Sequence, residues 1–243
     1  MDSRQTLLSA NAVHKQFGAL IVLDGVDFGV QSGDAIGIVG PNGAGKTTLL
    51  NVLSGAHKAS AGSVNFRGTD VTHLDAAQRC RLGIARTHQI PRPFNGMTVF
   101  ENVLAAAMQG GKFGRDKAYE RSIDAIRLCG MLKLANRRAE TIGLLDRKRL
   151  ELTRALATDP IVLLLDEIGG GLTDGESAEL VETIRVLHKR GISIVWIEHI
   201  VNVLLQVANR LVCMDSGRII ADGNPQEVLA NSIVVDAYLG GGR

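Results

Sequence analysis

The sequence predicts an α/β fold: a core with a mainly parallel sheet, an antiparallel β subdomain and an inserted helical subdomain. Three observations carry this prediction. The runs Ile161–Leu165 and Ile192–Ile197 flank a helical pattern, which is typical of a parallel sheet covered on both faces. Residues 7–40 alternate apolar and polar positions and are broken by Gly and Asp turns, which predicts antiparallel strands. Between Met97 and about Asn136 the apolar residues recur at helical spacing instead.

The first part of the chain is predicted to be rich in strands, with one helix among them. Strand patterns come first, and a helical pattern that is closed by a glycine follows. In order, these elements are strands at Val13–Gly18, Ile21–Val30 and Ile36–Val39, a helix at Thr48–Ser54, and a short strand at Ala61–Gly68.

The later elements follow from a change of period. The helical region from Met97 is divided by a glycine-containing loop, and we expect one apolar stripe on each side of that loop to be buried. The expected stripes are Val99, Val103, Leu104 and Met108, then Ile123, Ile126, Leu128, Met131 and Leu132. After them we expect a helix from about Asp146 to Thr158, a strand at Ile161–Leu165, a helix from about Gly175 to Arg190, a strand at Ile192–Ile197, a hairpin of Arg210–Met214 and Arg218–Ala221, and a last helix opened by Pro225.

Length and composition narrow the class of protein. A chain of 243 residues fits one large α/β domain or a core with a smaller appended lobe. Its net charge of +2 argues neither for nor against a nucleic-acid partner. The short basic run Arg147–Arg149 is predicted to lie on a solvated helix face. Cys80, Cys129 and Cys213 are widely spaced, which predicts reduced thiols in the cytosol and no zinc site.

The sequence also predicts that the chain does not enter a membrane by itself. The residues from Met1 to Gln5 lack the apolar region of a secretory signal, so none is expected. The longest apolar runs are far shorter than a bilayer span. If the protein works at a membrane, another chain is expected to hold it there.

The most informative stretch is a glycine-rich loop between a strand and a helix. Gly40–Thr47 has the complete spacing of a phosphate-binding loop, here called the phosphate loop. Its glycines allow backbone N–H groups to close on a polyphosphate. Lys46 would supply positive charge to the β- and γ-phosphates and face solvent, and the Thr47 hydroxyl would bind Mg²⁺. The alternative is a chance match in a glycine-rich turn, which the strand before and the helix after argue against.

Two carboxylates mark a second chemical position. Asp166 and Glu167 follow the apolar run Ile161–Leu165, and ligands of open α/β sheets bind at the carboxyl ends of the strands. Asp166 suits a Mg²⁺ anchor and Glu167 suits a group that polarises an attacking water. A solvated strand end is the commoner explanation of such a pair, but the phosphate loop upstream favours the functional one.

The order of these motifs resembles the ATP-binding subunit of ABC transporters over essentially the whole chain. The motifs, in order, are Phe17, Gly40–Thr48, Gln89, a helical insert, Arg149–Ala157, Leu163–Glu167 and Trp196–His199. Within that superfamily, Gly83–Gln89, Met97–Val103, Gly223–Leu229 and Val235–Gly240 are similar to the branched-chain amino acid importer group. The resemblance implies a P-loop core and a single ATP-binding domain, 1–243, with the helical subdomain inserted at about 91–145.

The resemblance also implies roles for individual residues. Phe17 matches the aromatic that stacks on adenine, the alternative being a phenylalanine of the sheet core. Gln89 matches the glutamine that joins the Mg²⁺ and water shell to the helical subdomain. His199 matches the histidine that contacts the γ-phosphate, the alternative being a surface histidine. The implied catalytic residues are Glu167, His199, Gln89 and Lys46, the implied metal ligands are Thr47, Gln89 and Asp166, and the implied nucleotide-binding residues are Phe17, Gly40, Pro41, Asn42, Gly43, Ala44, Gly45, Lys46, Thr47 and Thr48.

The chain departs from the family at one functional motif. The family carries Leu-Ser-Gly-Gly-Gln, or a Leu-Ser-Tyr-Gly form, which reaches across a dimer to the partner's ATP. This chain has Ile142–Asp146 there, called here the signature segment. The serine is missing, Leu145 adds a side chain where the backbone should approach a phosphate, and Asp146 adds negative charge. Smaller departures are His88 for phenylalanine, Ile168 for proline, and Thr173 for Asp or Asn within the expected dimer-contact loop Gly171–Asp174.

The resemblance implies an ATP-hydrolysing importer subunit, for branched-chain or related amino acids, that uses ATP and Mg²⁺. It implies a peripheral position at the cytoplasmic face of the inner membrane, a second ABC ATPase subunit, two permease subunits, and indirectly a periplasmic binding protein. Alternatives are another cargo (urea, amides or lipid export), an ATP-binding regulatory subunit with poor turnover, and a soluble ABC-type ATPase of DNA repair or translation. The near-neutral charge and the lack of a coiled-coil insert or a second nucleotide domain argue against the last, so no nucleic-acid partner is expected.

Overall fold

A computed structural model describes residues 5–240 of the chain. The sequence analysis expected no secretory signal on the basis of Met1–Gln5. Residues 1–4 of that stretch lie outside the described range. The described residues form two compact units, one up to Ala76 and again from Ser193 onward, the other from Ala77 to Ile192. The prediction of a single domain with an insert at about 91–145 stays a prediction.

Strands and helices alternate along the chain much as the sequence predicts. The strands are β1 Thr6–Phe17, β2 Leu20–Gln31, β3 Ala35–Val39, β4 Ala61–Phe66, β5 Thr69–Asp70, β6 Ile84–Arg86, β7 Val162–Asp166, β8 Ser193–Ile197, β9 Arg210–Asp215 and β10 Arg218–Gly223. The helices are α1 Lys46–Ser54, α2 Ala76–Leu82, α3 Val99–Gln109, α4 Arg115–Leu128, α5 Leu144–Ala157, α6 Asp174–Lys189, α7 Val201–Leu204, α8 Pro225–Ala230 and α9 Ser232–Gly240.

In the first unit, β3 is a parallel strand that leads directly into the phosphate loop. Ile36 pairs with Val195 of β8 on one side and with Arg210 of β9 on the other, both in parallel register. Every residue of β3 and β8 is buried, as expected for strands covered on both faces. The hairpin of β9 and β10 is antiparallel, as predicted. This sheet fixes the start of the phosphate loop at a strand's carboxyl end.

A separate antiparallel sheet of the first unit has the order β2-β1-β4-β5. Strands β1 and β2 pair over 12 residues each, with bulges that bend the ribbon. The predicted antiparallel β subdomain is therefore present, and β1 begins earlier than the pattern indicated.

In the second unit, a parallel pair of strands is accompanied by longer helices. Ile84 of β6 pairs with Val162 of β7, and β7 is buried throughout. Helices α3 and α4 are separated by residues 110–114, where the sequence predicts the loop. Thr98 caps α3 in a complete capping box with Glu101, so the start of this helix is fixed by local sequence.

The prediction of the buried stripes in α3 and α4 is partly wrong. Val99, Val103 and Ile126 are buried, but Met108 and Ile123 are exposed. The buried positions are instead taken by small residues, because close approach of helices favours them at the contact. Those small residues are Ala107, Ala118, Ser122 and Ala125; Met131 is buried as predicted, whereas Leu132 is exposed.

The prediction of a solvated face at Arg147–Arg149 is wrong. Lys148 is only 5% exposed. Arg147 donates hydrogen bonds to the carbonyl oxygens of Ile142 (3.0 Å) and Glu140 (2.9 Å). Guanidinium groups carry several donors in a fixed geometry, so a basic residue next to a helix start can fasten the preceding turn. Here the basic run holds the chain that enters α5.

Within residues 5–240, no helix combines the length and the apolar character that a bilayer crossing requires.

Candidate functional site

The phosphate loop has the backbone that its glycines predict. Gly40, Gly43 and Gly45 have φ angles of 143°, 81° and 98°, a region that favours glycine. A Cβ on Gly40 would lie 2.0 Å from the carbonyl oxygen of Met214, and one on Gly45 would lie 2.8 Å from that of Val22. Both glycines are therefore required by close backbone packing.

Lys46 lies inside the loop and not at the surface. Its side chain belongs to a residue that is 6% exposed, and Nζ donates to the carbonyl oxygens of Gly40 (2.7 Å) and Pro41 (2.9 Å). The expectation that Lys46 faces solvent is therefore wrong. The loop curls around the ammonium group because its carbonyl oxygens satisfy the buried charge.

Helix α1 presents its N-terminus at the end of the phosphate loop. Its N-cap is Gly45, in the left-handed conformation, and its first turn contains Lys46, Thr47 and Thr48. The amide of Leu49 closes the first turn on the carbonyl of Gly45 (2.8 Å). Thr47 is exposed. A glycine cap, the helix dipole and an exposed hydroxyl together suit an anion with an attached cation.

Phe17 is a surface aromatic at the end of β1. It is 45% exposed, its ring meets the His57 ring edge-on at 5.4 Å, and Lys15 Nζ lies 4.7 Å from its centroid. The alternative of a sheet-core phenylalanine is therefore wrong. A half-exposed ring flanked by a cation can accept a stacked base.

Asp166 is held by an arginine that the sequence analysis did not single out. The carboxylate, on a residue 2% exposed, forms an ion pair with Arg86 at 2.7 Å, and the Asp166 amide donates to Thr87 Oγ1 at 3.4 Å. Arg86 is the last residue of the short strand β6, which pairs with β7, and Thr87 follows it. A charged residue directly after the apolar pair Ile84–Ala85 was the available signal.

Glu167 and Gln89 are in direct contact. The Gln89 side-chain amide donates a hydrogen bond to the Glu167 carboxylate. Glu167 has a φ of 48°, which is uncommon for a residue with a side chain. Strained backbone of this kind concentrates at functional positions, because only a supporting structure or a selective advantage maintains it.

His199 is exposed at the carboxyl end of β8. The residue before it, Glu198, is buried and accepts a hydrogen bond from Trp196 Nε1 at 3.2 Å. This bond anchors the end of the strand immediately before His199. Glu198 lies within the motif Trp196–His199, but the sequence analysis gave it no role of its own.

The signature segment forms the start of α5. Gly143 is the N-cap, and a Cβ built there would have no heavy atom within 4 Å. Asp146 lies in the first turn, where the helix dipole favours a carboxylate, and it is 3.7 Å from Arg149. Arg149 also forms an ion pair with Glu179 of α6. The negative charge of Asp146 is therefore partly offset by its own helix.

The expected dimer-contact loop ends in a helix cap. The Thr173 side chain accepts from the Glu176 amide while the Glu176 carboxylate accepts from the Thr173 amide at 2.8 Å, which completes a capping box for α6. Burial of the neighbouring Ile168 places an apolar side chain where the family has proline. Thr173 thus fixes the start of α6 in place of the usual Asp or Asn.

Comparison with known proteins identifies the family of the chain. Residues 23–169 match the family model described as ABC transporter, and residues 218–243 match the model described as branched-chain amino acid ATP-binding cassette transporter. The chain belongs to the ABC transporter family. The family, the α/β fold class and the ATPase class that the sequence predicted are therefore confirmed.

Relatives of the chain are similar over nearly their whole length. The high-affinity branched-chain amino acid transport ATP-binding protein LivG of Salmonella typhimurium is 34% identical, covering 97% of this chain and 98% of the relative. The probable LivG of Archaeoglobus fulgidus is 35% identical, covering 96% and 95%. Among solved structures, a nucleotide-free ATP-binding cassette from an ABC transporter has a TM-score of 0.88 at 31% identity, covering 96% of this chain and 98% of that one. The ADP conformation of the cassette MJ1267 also has a TM-score of 0.88, at 32% identity, covering 97% and 99%.

Proposed function

We propose that this cassette is the ATP-hydrolysing subunit of an importer for branched-chain or related amino acids. The observation that carries the cargo assignment is the similarity to LivG proteins of both a bacterium and an archaeon along nearly the whole chain. The match of residues 218–243 to the branched-chain model supports it from a second part of the sequence.

In this proposal the phosphate loop and α1 bind the polyphosphate of ATP. Gly40–Thr48 supplies the backbone N–H groups, and Lys46 supplies the positive charge for the β- and γ-phosphates. Phe17 stacks on the adenine. The support comes from the left-handed glycines, the position of Nζ inside the loop and the exposed ring of Phe17.

Thr47, Gln89 and Asp166 would bind Mg²⁺ in this proposal. An exposed threonine hydroxyl, a side-chain amide and a carboxylate held in one orientation by Arg86 are oxygen ligands of the kind that Mg²⁺ prefers. When bound, Mg²⁺ neutralises charge on the phosphate oxygens. Because Mg²⁺ commonly uses one or two carboxylates together with phosphates, a larger acidic cluster is not required.

Glu167 is proposed to polarise the attacking water, and His199 to orient it. The Gln89 amide holds the Glu167 carboxylate, so the base is fixed before water arrives. His199 stands at a strand end that the bond between Trp196 and Glu198 anchors. Movement of the helical segment through Gln89 would carry the signal of ATP binding to the partners.

The partners are proposed to be a second ABC ATPase subunit, two permeases and, indirectly, a periplasmic binding protein, at the cytoplasmic face of the inner membrane. The signature segment favours an unequal pair of ATPase subunits. In the family this motif acts on the partner's ATP, so the loss of its serine would impair the opposite site and not the one built on Lys46. A regulatory subunit with poor turnover is the second candidate that this observation favours.

The test is transport by the whole complex. The chain would be purified with its permease and ATPase partners, placed in proteoliposomes, and supplied with the binding protein and, in separate assays, radiolabelled leucine, urea or an amide. We expect ATP-dependent uptake that Glu167→Gln abolishes and that the exposed control Glu182→Gln leaves intact. Uptake of urea or an amide with no leucine transport would overturn the cargo assignment, and ATP-dependent uptake that Glu167→Gln leaves intact would overturn the role of Glu167.

A further inference from the structure

A tyrosine from the C-terminal helix is hydrogen-bonded to the first residue of the phosphate loop. Tyr238 lies on α9, and its hydroxyl oxygen accepts a hydrogen bond from the Gly40 amide at 2.8 Å. The two residues are 198 positions apart in the chain. Gly40 directly follows β3 and is the first residue of the phosphate loop, so this bond joins the C-terminal helix to the start of the loop.

Gly40 is fixed on three sides in this arrangement. Its amide donates to Tyr238, its carbonyl oxygen accepts from Lys46 Nζ at 2.7 Å, and its Cα lies against the carbonyl of Met214. The ammonium group of Lys46 must turn some of its donors from the loop carbonyls to a phosphate when nucleotide binds. The bond to Tyr238 does not involve those donors, so it can hold Gly40 in place while Lys46 is redirected.

The chemistry of the phenol suits a constant acceptor. Burial raises the pKa of Tyr238, and the hydrogen bond from the Gly40 amide opposes that rise only in part. The hydroxyl therefore stays neutral at physiological pH and accepts from Gly40 without adding negative charge next to bound phosphates.

We propose that Tyr238 is a positioning residue for nucleotide binding, which acts through Gly40 to hold the start of the phosphate loop. This inference rests on the proposed function of the loop. Tyr238 lies within residues 218–243, the segment that matches the branched-chain model. Nucleotide affinity is thereby coupled to the position of α9, and by reciprocity nucleotide binding alters the environment of Tyr238.

The chain offers a matched control, because Tyr119 and Tyr238 are its two tyrosines. Tyr119 lies on α4 in the other unit. Tyr238→Phe removes one hydroxyl and one hydrogen bond. One net hydrogen bond corresponds to an MgADP affinity that is roughly three- to tenfold weaker by isothermal titration. Tyr119→Phe should bind as the wild type does.

A spectroscopic measurement on the intact chain gives a second, independent result. With ¹³C-labelled tyrosine rings the chain has two tyrosine signals, which Tyr119→Phe assigns. We expect saturating MgADP to shift the Tyr238 signal and to leave the Tyr119 signal in place. If Tyr238 served only to pack α9, its signal would not respond to the nucleotide. An unmoved Tyr238 signal would overturn the positioning role, and so would an unchanged MgADP affinity of folded Tyr238→Phe. In either case, MgADP binding by the wild-type chain would still support the proposed function. Failure of the wild-type chain to bind nucleotide would overturn both.

Discussion

Replacing Lys46 by alanine should weaken both nucleotide binding and the fold. The two effects have different origins in the structure. The ammonium group lies inside the phosphate loop and donates to the carbonyl oxygens of Gly40 and Pro41 at 2.7 and 2.9 Å. Lys46→Ala removes the charge that would meet the phosphates, and it also removes a donor from both carbonyls, although that of Pro41 still accepts from the Ala44 amide at 3.2 Å.

The size of each effect follows from the contacts. A hydrogen bond to a charged group contributes about 1.5–3 kcal/mol, so loss of the phosphate contact should weaken MgADP binding roughly 10- to 150-fold. In the free chain the two carbonyl bonds are partly offset by the cost of burying the ammonium group. We therefore expect the free energy of unfolding to fall by about 1–3 kcal/mol, and the melting temperature by roughly 2–12 °C.

The assay is isothermal titration with MgADP at a temperature at which circular dichroism shows both proteins folded, together with thermal melts. Lys58→Ala is the matched control, because Lys58 is exposed just beyond α1 and the change in net charge is the same. It should bind and melt as the wild type does. Near-normal affinity of folded Lys46→Ala would show that the loop does not use this lysine for nucleotide, and the account of the loop would be refuted.

Three further predictions concern the other unit and the thiols. Glu167→Gln keeps the contact with Gln89 but removes the base, so the variant should bind MgATP, hydrolyse it very slowly and accumulate as a dimer on size-exclusion chromatography. Full ATP turnover by the complete complex with this variant would contradict the role of Glu167. Arg86→Leu should lower the free energy of unfolding by about 3–5 kcal/mol in urea melts, because it removes the arginine from a buried ion pair and keeps the carboxylate. Arg127→Leu, from an exposed ion pair, should lower it by about 0–1 kcal/mol, and equal effects would contradict this account. Burial raises the pKa of Cys129 and Cys213 to about 11, so at pH 8 a thiol reagent should modify Cys80 first and the other two only after unfolding. Rapid modification of all three in the native chain would show that the two buried thiols are accessible.

The motifs that depend on local chemistry were predictable from the sequence. Glycine spacing fixes the phosphate loop because only glycine adopts the required backbone, and Gly40, Gly43 and Gly45 do adopt it. The strand ending at Asp166 and the helix closed by Gly55 were predictable for similar reasons. An apolar run and a glycine cap are both visible in a few consecutive residues.

Features that depend on distant residues were not predictable. The burial of Lys46, the pairing of Arg86 with Asp166 and the bond from Gly40 to Tyr238 all require knowledge of which segments meet. The expectation of buried apolar stripes was wrong at Met108 and Ile123, which are exposed. Small residues, and not bulky ones, take the buried positions of these helices. Periodicity reports which face is apolar on average, and it does not report how closely the neighbours approach.

We propose that this cassette has a competent phosphate loop and base, but that its signature segment supports hydrolysis of the partner's ATP poorly. Removal of one preorganised donor to developing charge costs about 3–4 kcal/mol, a few hundred-fold in rate. A Cβ at position 143 would have no heavy atom within 4 Å, so the backbone there accommodates a side chain. Restoring glycines in the first turn of α5 weakens that helix by about 1 kcal/mol each, so folding must be checked by circular dichroism.

The most direct measurement is the steady-state ATPase rate of the chain alone, as wild type and as the variant with Gly143→Ser, Leu144→Gly, Leu145→Gly and Asp146→Gln. The wild-type chain should be slow, and the folded restored variant should be markedly faster. A partner ATPase subunit with an intact signature motif should accelerate the wild-type chain, and that acceleration should depend on Glu167. A brisk wild-type chain whose rate the restoration leaves unchanged would contradict the role assigned to residues 142–146.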